Sequence, residues 1–166
     1  MSPTFELLMV AALIGAADVL YFHLYRFRLY AQPGSVAEEV THLVRHVLFL
    51  GIVLVMLVDP PLARPLVVGL FAVDQLNNGI DVLLERSSRA PLGGLRSGEY
   101  LVHVASTLLT GMAIATFWWA PTGAALSPIQ LARGWATVGL GAALFATEAT
   151  WFARALASRR TRTAAA

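Results

Sequence analysis

The sequence predicts an all-α integral membrane bundle of five transmembrane helices. Three observations carry this reading: the chain is 57% hydrophobic, only 13% of it is charged, and its polar residues recur at helical spacing inside apolar runs. Soluble domains are about 25% charged. A bilayer-crossing helix takes roughly 20 mostly apolar residues, so 166 residues hold five spans and no separate soluble domain. The expected organisation is one transmembrane domain over residues 1–158 and a basic, alanine-rich tail over 159–166, expected to be disordered.

The first span is expected over about 5–25, apolar except for Asp18 and His23 and closed by Arg26 and Arg28. No basic region precedes it, so it reads as a retained span rather than a cleaved signal peptide. Pro33-Gly34 marks a turn, and Ser35 with Glu38 three residues later has the pattern of a capping box for the second span, about 39–58. Asp59-Pro60-Pro61 stops that helix. The third span is expected over about 65–85, followed by a loop at 86–98 in which Gly93-Gly94 is turn chemistry. The fourth runs over about 99–119, and a turn at 120–128 leads to the fifth, about 130–156.

All twelve basic residues are arginine, and most fall in the 26–37 loop, the 86–98 loop and the C-terminal segment. The positive-inside rule makes that side cytoplasmic and places the N-terminus outside. Trp118, Trp119 and Trp135 then lie at the outer surface and Tyr25, Tyr30, Tyr100 and Trp151 at the inner one, as two aromatic belts would. The lipid bilayer is the expected partner and the bacterial inner membrane the expected location. A net charge of +2 scattered along the loops excludes a nucleic-acid surface. The absence of cysteine excludes disulfides, thiolate zinc sites and iron–sulfur ligation.

Three spans carry one polar stripe each. Glu39, His42 and His46 fall within about 60° of one another on the second helix, as do Asp74, Asn78, Asp81 and Glu85 on the third. Glu99, His103, Ser106 and Thr110 do the same on the fourth. At 1.5 Å per residue, with Glu39, Glu85 and Glu99 taken as level, His42, Asp81 and His103 lie about 4 to 6 Å deeper and His46, Asn78 and Ser106 about 10 Å deeper. Aspartate at a helix centre costs roughly 2.5 to 3.5 kcal/mol on translocon scales, so such residues need mutual partners or a bound cation. Carboxylates opposite imidazoles are donors suited to iron, manganese or zinc. The candidate metal ligands are therefore Glu39, His42, His46, Asp81, Glu85, Glu99 and His103, with Asp18, Asp74 and Asn78 as supporting or relay residues.

Other polar residues have plainer explanations. Glu38 reads as a cap, His23 as an interfacial residue beside Tyr25 and Arg26, and Arg45 as a snorkelling side chain or the partner of an acid. In an α-helix Asp18 and His23 point about 140° apart and cannot face one centre. Glu148 fits either a supporting contact to the ligands or a helix–helix hydrogen bond.

Glu39-x-x-His42 has the spacing found in ferritin-like di-iron carboxylate bundles, where two such pairs and two further glutamates hold two irons. Here the second pair would be Glu99-x-x-x-His103, one residue longer, and the chain is not assigned to that family. His42-x-x-x-His46 matches the zinc-protease pair in spacing, but Leu43 stands where the glutamate base belongs. The expectation is a membrane metalloprotein with a carboxylate and histidine site near the cytoplasmic side, iron first among the metals and two ions accommodated. The associated chemistry would be oxidation of a lipid-soluble substrate. A transporter or complex subunit using the same groups as a proton or cation path is the alternative. A b-type haem protein is a further one, disfavoured by the acids sharing the histidine faces.

Overall fold

The computed structural model describes residues 2–94 and 97–164. Within them the regular structure is entirely helical. Five long helices make up the fold: α1 Thr4–Ala17, continued by a π-helical stretch Asp18–Arg26; α2 Val36–Val58; α3 Ala63–Arg89; α4 Ser97–Trp119; and α5 Pro128–Ala164. Four of them are long and apolar enough to cross a membrane, over Thr4–Arg26, Val36–Val58, Ala63–Leu92 and Ser97–Trp119. The fifth spans 37 residues but, with its glycines, threonines and Glu148, is not among those four.

Several boundaries differ from the sequence reading. α3 continues past Glu85 to Arg89, which places Arg89 one turn beyond Glu85 on the same face. α5 runs on through the segment expected to be a disordered tail as far as Ala164, and residues 165 and 166 lie outside those described. Arg96, expected in the cytoplasmic loop, also lies outside them. The capping box at Ser35 and Glu38 does not form: the α2 N-terminus has no side-chain cap, and Glu38 is turned inward. A reciprocal box is found instead at the start of α5. There Ser127 N–H donates to Gln130 Oε1 at 3.0 Å and Gln130 N–H to Ser127 Oγ at 3.4 Å. Asp59 ends α2 in the left-handed conformation, φ 45°, with its N–H donating to Val55 O at 2.9 Å.

α5 packs on α1 and α2, α3 lies against α2 and α4 against α1, while α3 and α4 touch each other little. The apolar core occupies one end of the bundle, where Phe5 and Leu8 of α1 meet Ile52, Val53 and Met56 of α2, Val67 of α3 and Ala113 and Ile114 of α4. The histidines and most of the buried acids are gathered at the other end. This segregation follows from sequence order: apart from Glu6 and Arg64 in the first turns of α1 and α3, these helices carry aliphatic side chains toward one end and their charged ones toward the other.

Two glycines of α5 allow the close approach to α2. A Cβ on Gly134 would lie 2.4 Å from Leu57 Cδ2 and 3.1 Å from Phe5 Cδ1, and one on Gly141 would lie 3.0 Å from Leu50 Cδ2. Leu57 can move its terminal methyl groups, but a branched side chain at 134 meets both Leu57 and Phe5. Gly134→Val is therefore expected to destabilise the bundle by about 1–3 kcal/mol, measured as an earlier unfolding midpoint in a denaturing-detergent titration.

Candidate metal centre

All four histidines of the chain converge at the polar end of the bundle. α2 supplies His42, whose Nε2 lies 3.1 Å from Asp81 Oδ2 of α3. α4 supplies His103, 2.9 Å by Nε2 from Asp18 Oδ2 and 3.5 Å by Nδ1 from Glu85 Oε1. His42, Asp81, Glu85 and His103 form one group whose ligand atoms all lie within 4.8 Å of one another, and His23, His42 and His103 form a second. The rings of His23 and His42 stack with centroids 4.3 Å apart and planes 17° from parallel. Thr41 sets the position of Asp81, its hydroxyl lying against Asp81 Oδ1 while Asn77 Nδ2 donates to the Thr41 carbonyl at 2.9 Å.

The backbone explains how α1 contributes two residues to one centre. Asp18 and His23 sit in the π-helical stretch, where Phe27 N–H donates to Phe22 O, five residues back, at 2.9 Å. In the wider i→i+5 turn, residues five apart come nearly into line. His23 Nε2 accordingly lies 3.7 Å from Asp18 Oδ2 and 3.8 Å from Glu99 Oε1, and His23 is only 1% exposed. The expectations that His23 is interfacial and that Asp18 and His23 cannot share a centre are both overturned, because they assumed α-helical geometry.

α5 contributes Glu148, its single acid, which is fully buried. Glu148 Oε2 lies 2.8 Å from His46 Nε2, and Oε1 lies 3.4 Å from His23 Nδ1 and 3.7 Å from His42 Nδ1. A carboxylate against Nδ1 of two histidines leaves both Nε2 atoms facing the cluster, the arrangement by which a carboxylate orients metal-binding imidazoles. His46 thus belongs to Glu148 in this geometry and lies outside both four- and three-residue groups.

A second network flanks the first. Arg89, fully buried, places Nη1 2.6 Å from Glu38 Oε1, and its Nη2 pairs closely with Glu99 Oε1. Ser88 hydroxyl donates to the other Glu38 oxygen, and the Arg89 guanidinium lies 5.3 Å from the Phe27 ring centre. Glu38 is thus an ion-pair partner rather than a cap, and Glu99 is committed chiefly to Arg89. Deeper in the bundle Arg45 donates to Asn78 Oδ1 at 2.7 Å and Thr107 Oγ1 at 2.6 Å, with Nε 3.8 Å from Asp74 Oδ1. Asp74 and Asn78 therefore meet Arg45 and stand apart from the histidine groups.

Charge and hydrogen bonding both indicate what the cluster can hold. Eight carboxylates are buried: Asp18, Glu38, Glu39, Asp74, Asp81, Glu85, Glu99 and Glu148. Arg45, Arg89 and four fully protonated histidines supply at most six positive charges against them. Glu39 is 1% exposed, and neither of its oxygens makes a hydrogen bond; its charged neighbours are Glu148, His42, Glu38 and Arg89. His23 Nε2, Asp18 Oδ1 and Glu85 Oε1 are likewise buried without a hydrogen bond. Buried polar atoms in native proteins are nearly always paired. Imidazole and carboxylate donors gathered in this way could hold a metal ion.

Of the residues read from sequence, His42, Asp81, Glu85 and His103 come together with Asp18, while Glu39 lies beside them without a hydrogen bond. Sequence reasoning missed Arg89 and took His23 for an interfacial residue, while it left Glu148 open between a supporting contact to the ligands, which it makes, and a helix–helix hydrogen bond. Arg89 extends the Asp81 and Glu85 stripe by one turn and was legible on that ground, and the lone acid of α5 was the signal for Glu148. No family model matches the chain, and no curated protein or solved structure is similar to it.

Removing Arg89 leaves Glu38 and Glu99 buried without their cation. Arg89→Ala is expected to cost about 3–5 kcal/mol of stability, read from denaturing-detergent unfolding. Simultaneous Glu38→Gln and Glu99→Gln replacement should recover part of the loss.

Proposed function

We propose that this chain is a membrane metalloprotein that binds a transition metal through His42, Asp81, Glu85 and His103, with His23 and Asp18 beside them. The carrying observation is that those four side chains present one donor atom each within 4.8 Å of one another in a buried site. The orphaned oxygens of Glu39 and the nitrogen of His23 support it, since a bound cation would satisfy them. Glu39 and Glu148 provide carboxylates for a second ion next to the first.

Iron is the metal this reading favours, and the reaction class is oxidation of a lipid-soluble substrate. Two imidazoles with carboxylates and open coordination positions are the donor set of non-haem iron oxygenases. The apolar exterior of the bundle suits a substrate dissolved in the bilayer. In this reading the bundle has five spans, the N-terminus outside and the C-terminus in the cytoplasm of a bacterial cell, as the arginine distribution argues. The metal would supply the redox chemistry. The chain's own residues orient the imidazoles through Glu148, hold Asp81 in place through Thr41 and exclude bulk water.

A proton or cation path is the second reading. It is favoured by Asp74, buried with Oδ1 free of hydrogen bonds, on the same cavity wall as Arg45, His46 and Asp18. It predicts ion or proton movement in liposomes that Asp74→Asn abolishes.

Elemental analysis and an absorption spectrum of protein purified in mild detergent test the first reading. One or two transition-metal ions per chain and no Soret band are expected. Asp81→Ala and His103→Ala should each abolish metal retention, and full occupancy in both variants would sink the site. Glu148→Gln should weaken metal affinity by about 10- to 100-fold. Because imidazole must be neutral and carboxylates ionised to bind, retention should weaken as pH falls and loading should release protons.

A further inference from the structure

A cavity of about 90 Å³ adjoins the cluster, lined by residues of α1, α2, α4 and α5 and by Asp74 of α3. Its walls are of two kinds. Its polar lining includes His23, His42, His103 and Asp18, and the rest is largely small and aliphatic residues such as Ala11, Ala12, Gly15 and Val19. The cavity lining includes His42 and His103 but neither Asp81 nor Glu85. The carboxylates of the four-residue group therefore lie behind the imidazoles, and the open side of the centre faces the cavity. Arg45, tied to Asn78 and Thr107, places a cation on the same lining.

The void exists because α1 presents alanine and glycine there. A Cβ on Gly15 would meet only Ser106 Oγ, at 4.0 Å, so the space in front of it is unfilled. An engineered apolar cavity of about 150 Å³ holds benzene, so this smaller space of about 90 Å³ suits ligands of two or three heavy atoms better than a ring or a lipid chain.

We infer that this chamber is the binding site for a di- or triatomic ligand of the metal, dioxygen being the member of that class that dissolves in a bilayer interior. The inference rests on the metal reading above. It adds that the small reactant reaches the centre from the imidazole side, so that a larger lipid-soluble substrate must approach from another face. Arg45 makes the chamber equally suited to a small anion.

Azide and nitric oxide are the probes, with imidazole as the oversized control, titrated into metal-containing protein and followed by absorption and electron paramagnetic resonance. Wild type should bind azide and nitric oxide and exclude imidazole. Gly15→Leu should lower affinity for both small probes at least tenfold while metal content, measured on the same sample, stays unchanged. Ala12→Val, a smaller intrusion on the same helix, should give a weaker loss in the same direction and serves if the leucine variant does not fold. Imidazole binding as readily as azide, or undiminished azide binding in metal-loaded variants, would overturn the chamber while leaving the metal site intact. A chain that retains no metal would instead overturn the underlying reading, and the ligand site with it.

Discussion

Eight carboxylates buried at one end of a mostly apolar bundle are the constraint on which the rest of this structure depends. Ionised side chains out of water cost several kcal/mol each unless they are paired, and the chain meets that cost by concentrating every histidine and two arginines among them. The result is two joined networks. Arg89 holds Glu38 and Glu99 together at one side, and Glu148 gathers three imidazoles at the other.

These networks also finish the fold. Aliphatic packing joins α3 to α2, α4 to α1 and α5 to both α1 and α2, but leaves α3 and α4 in slight contact. At the apolar end Val67 and Phe71 of α3 meet α4 near Ala113 and Gly111, and toward the other end the contacts across the gap are polar: Glu85 to His103, Arg89 to Glu99, and Arg45 reaching from α2 to Asn78 and Thr107. A bundle closed at that end by ion pairs and hydrogen bonds ties that part of its architecture to the charge state of its buried groups. Hydrogen bonds inside such a site specify one arrangement when all partners are satisfied and are costly when they are not. Under the proposed metal reading, a cation beside the unsatisfied oxygens of Glu39 would complete the structure as well as the chemistry.

The π-helical stretch of α1 is the local device that makes the centre possible. It turns Asp18 and His23 toward the same point and leaves the small residues Ala11, Ala12 and Gly15 of the preceding turns facing the adjoining cavity. One irregularity in one helix thus supplies two polar groups, and the small side chains next to it leave the space beside them. Such insertions are frequent at functional sites, and here the reason is geometric.

The sequence by itself determined the helical class, four of the five expected helices as long and apolar enough to cross a membrane, and the shared depth of His42, Asp81, Glu85 and His103, because these depend on composition and on a regular 3.6-residue repeat. It also carried the step from Glu85 to Arg89, which needed only a longer α3. Tertiary structure alone decided that Asp18 and His23 share a centre, since a change of helix type cannot be read from a periodicity that assumes one. It alone decided that Glu38 pairs with Arg89 instead of capping α2, and that Glu148 is the common partner of three histidines. Those outcomes depend on which helices are neighbours, and adjacency is set by how Gly134 and Gly141 let α5 settle against α2, a packing fact that no single helix contains.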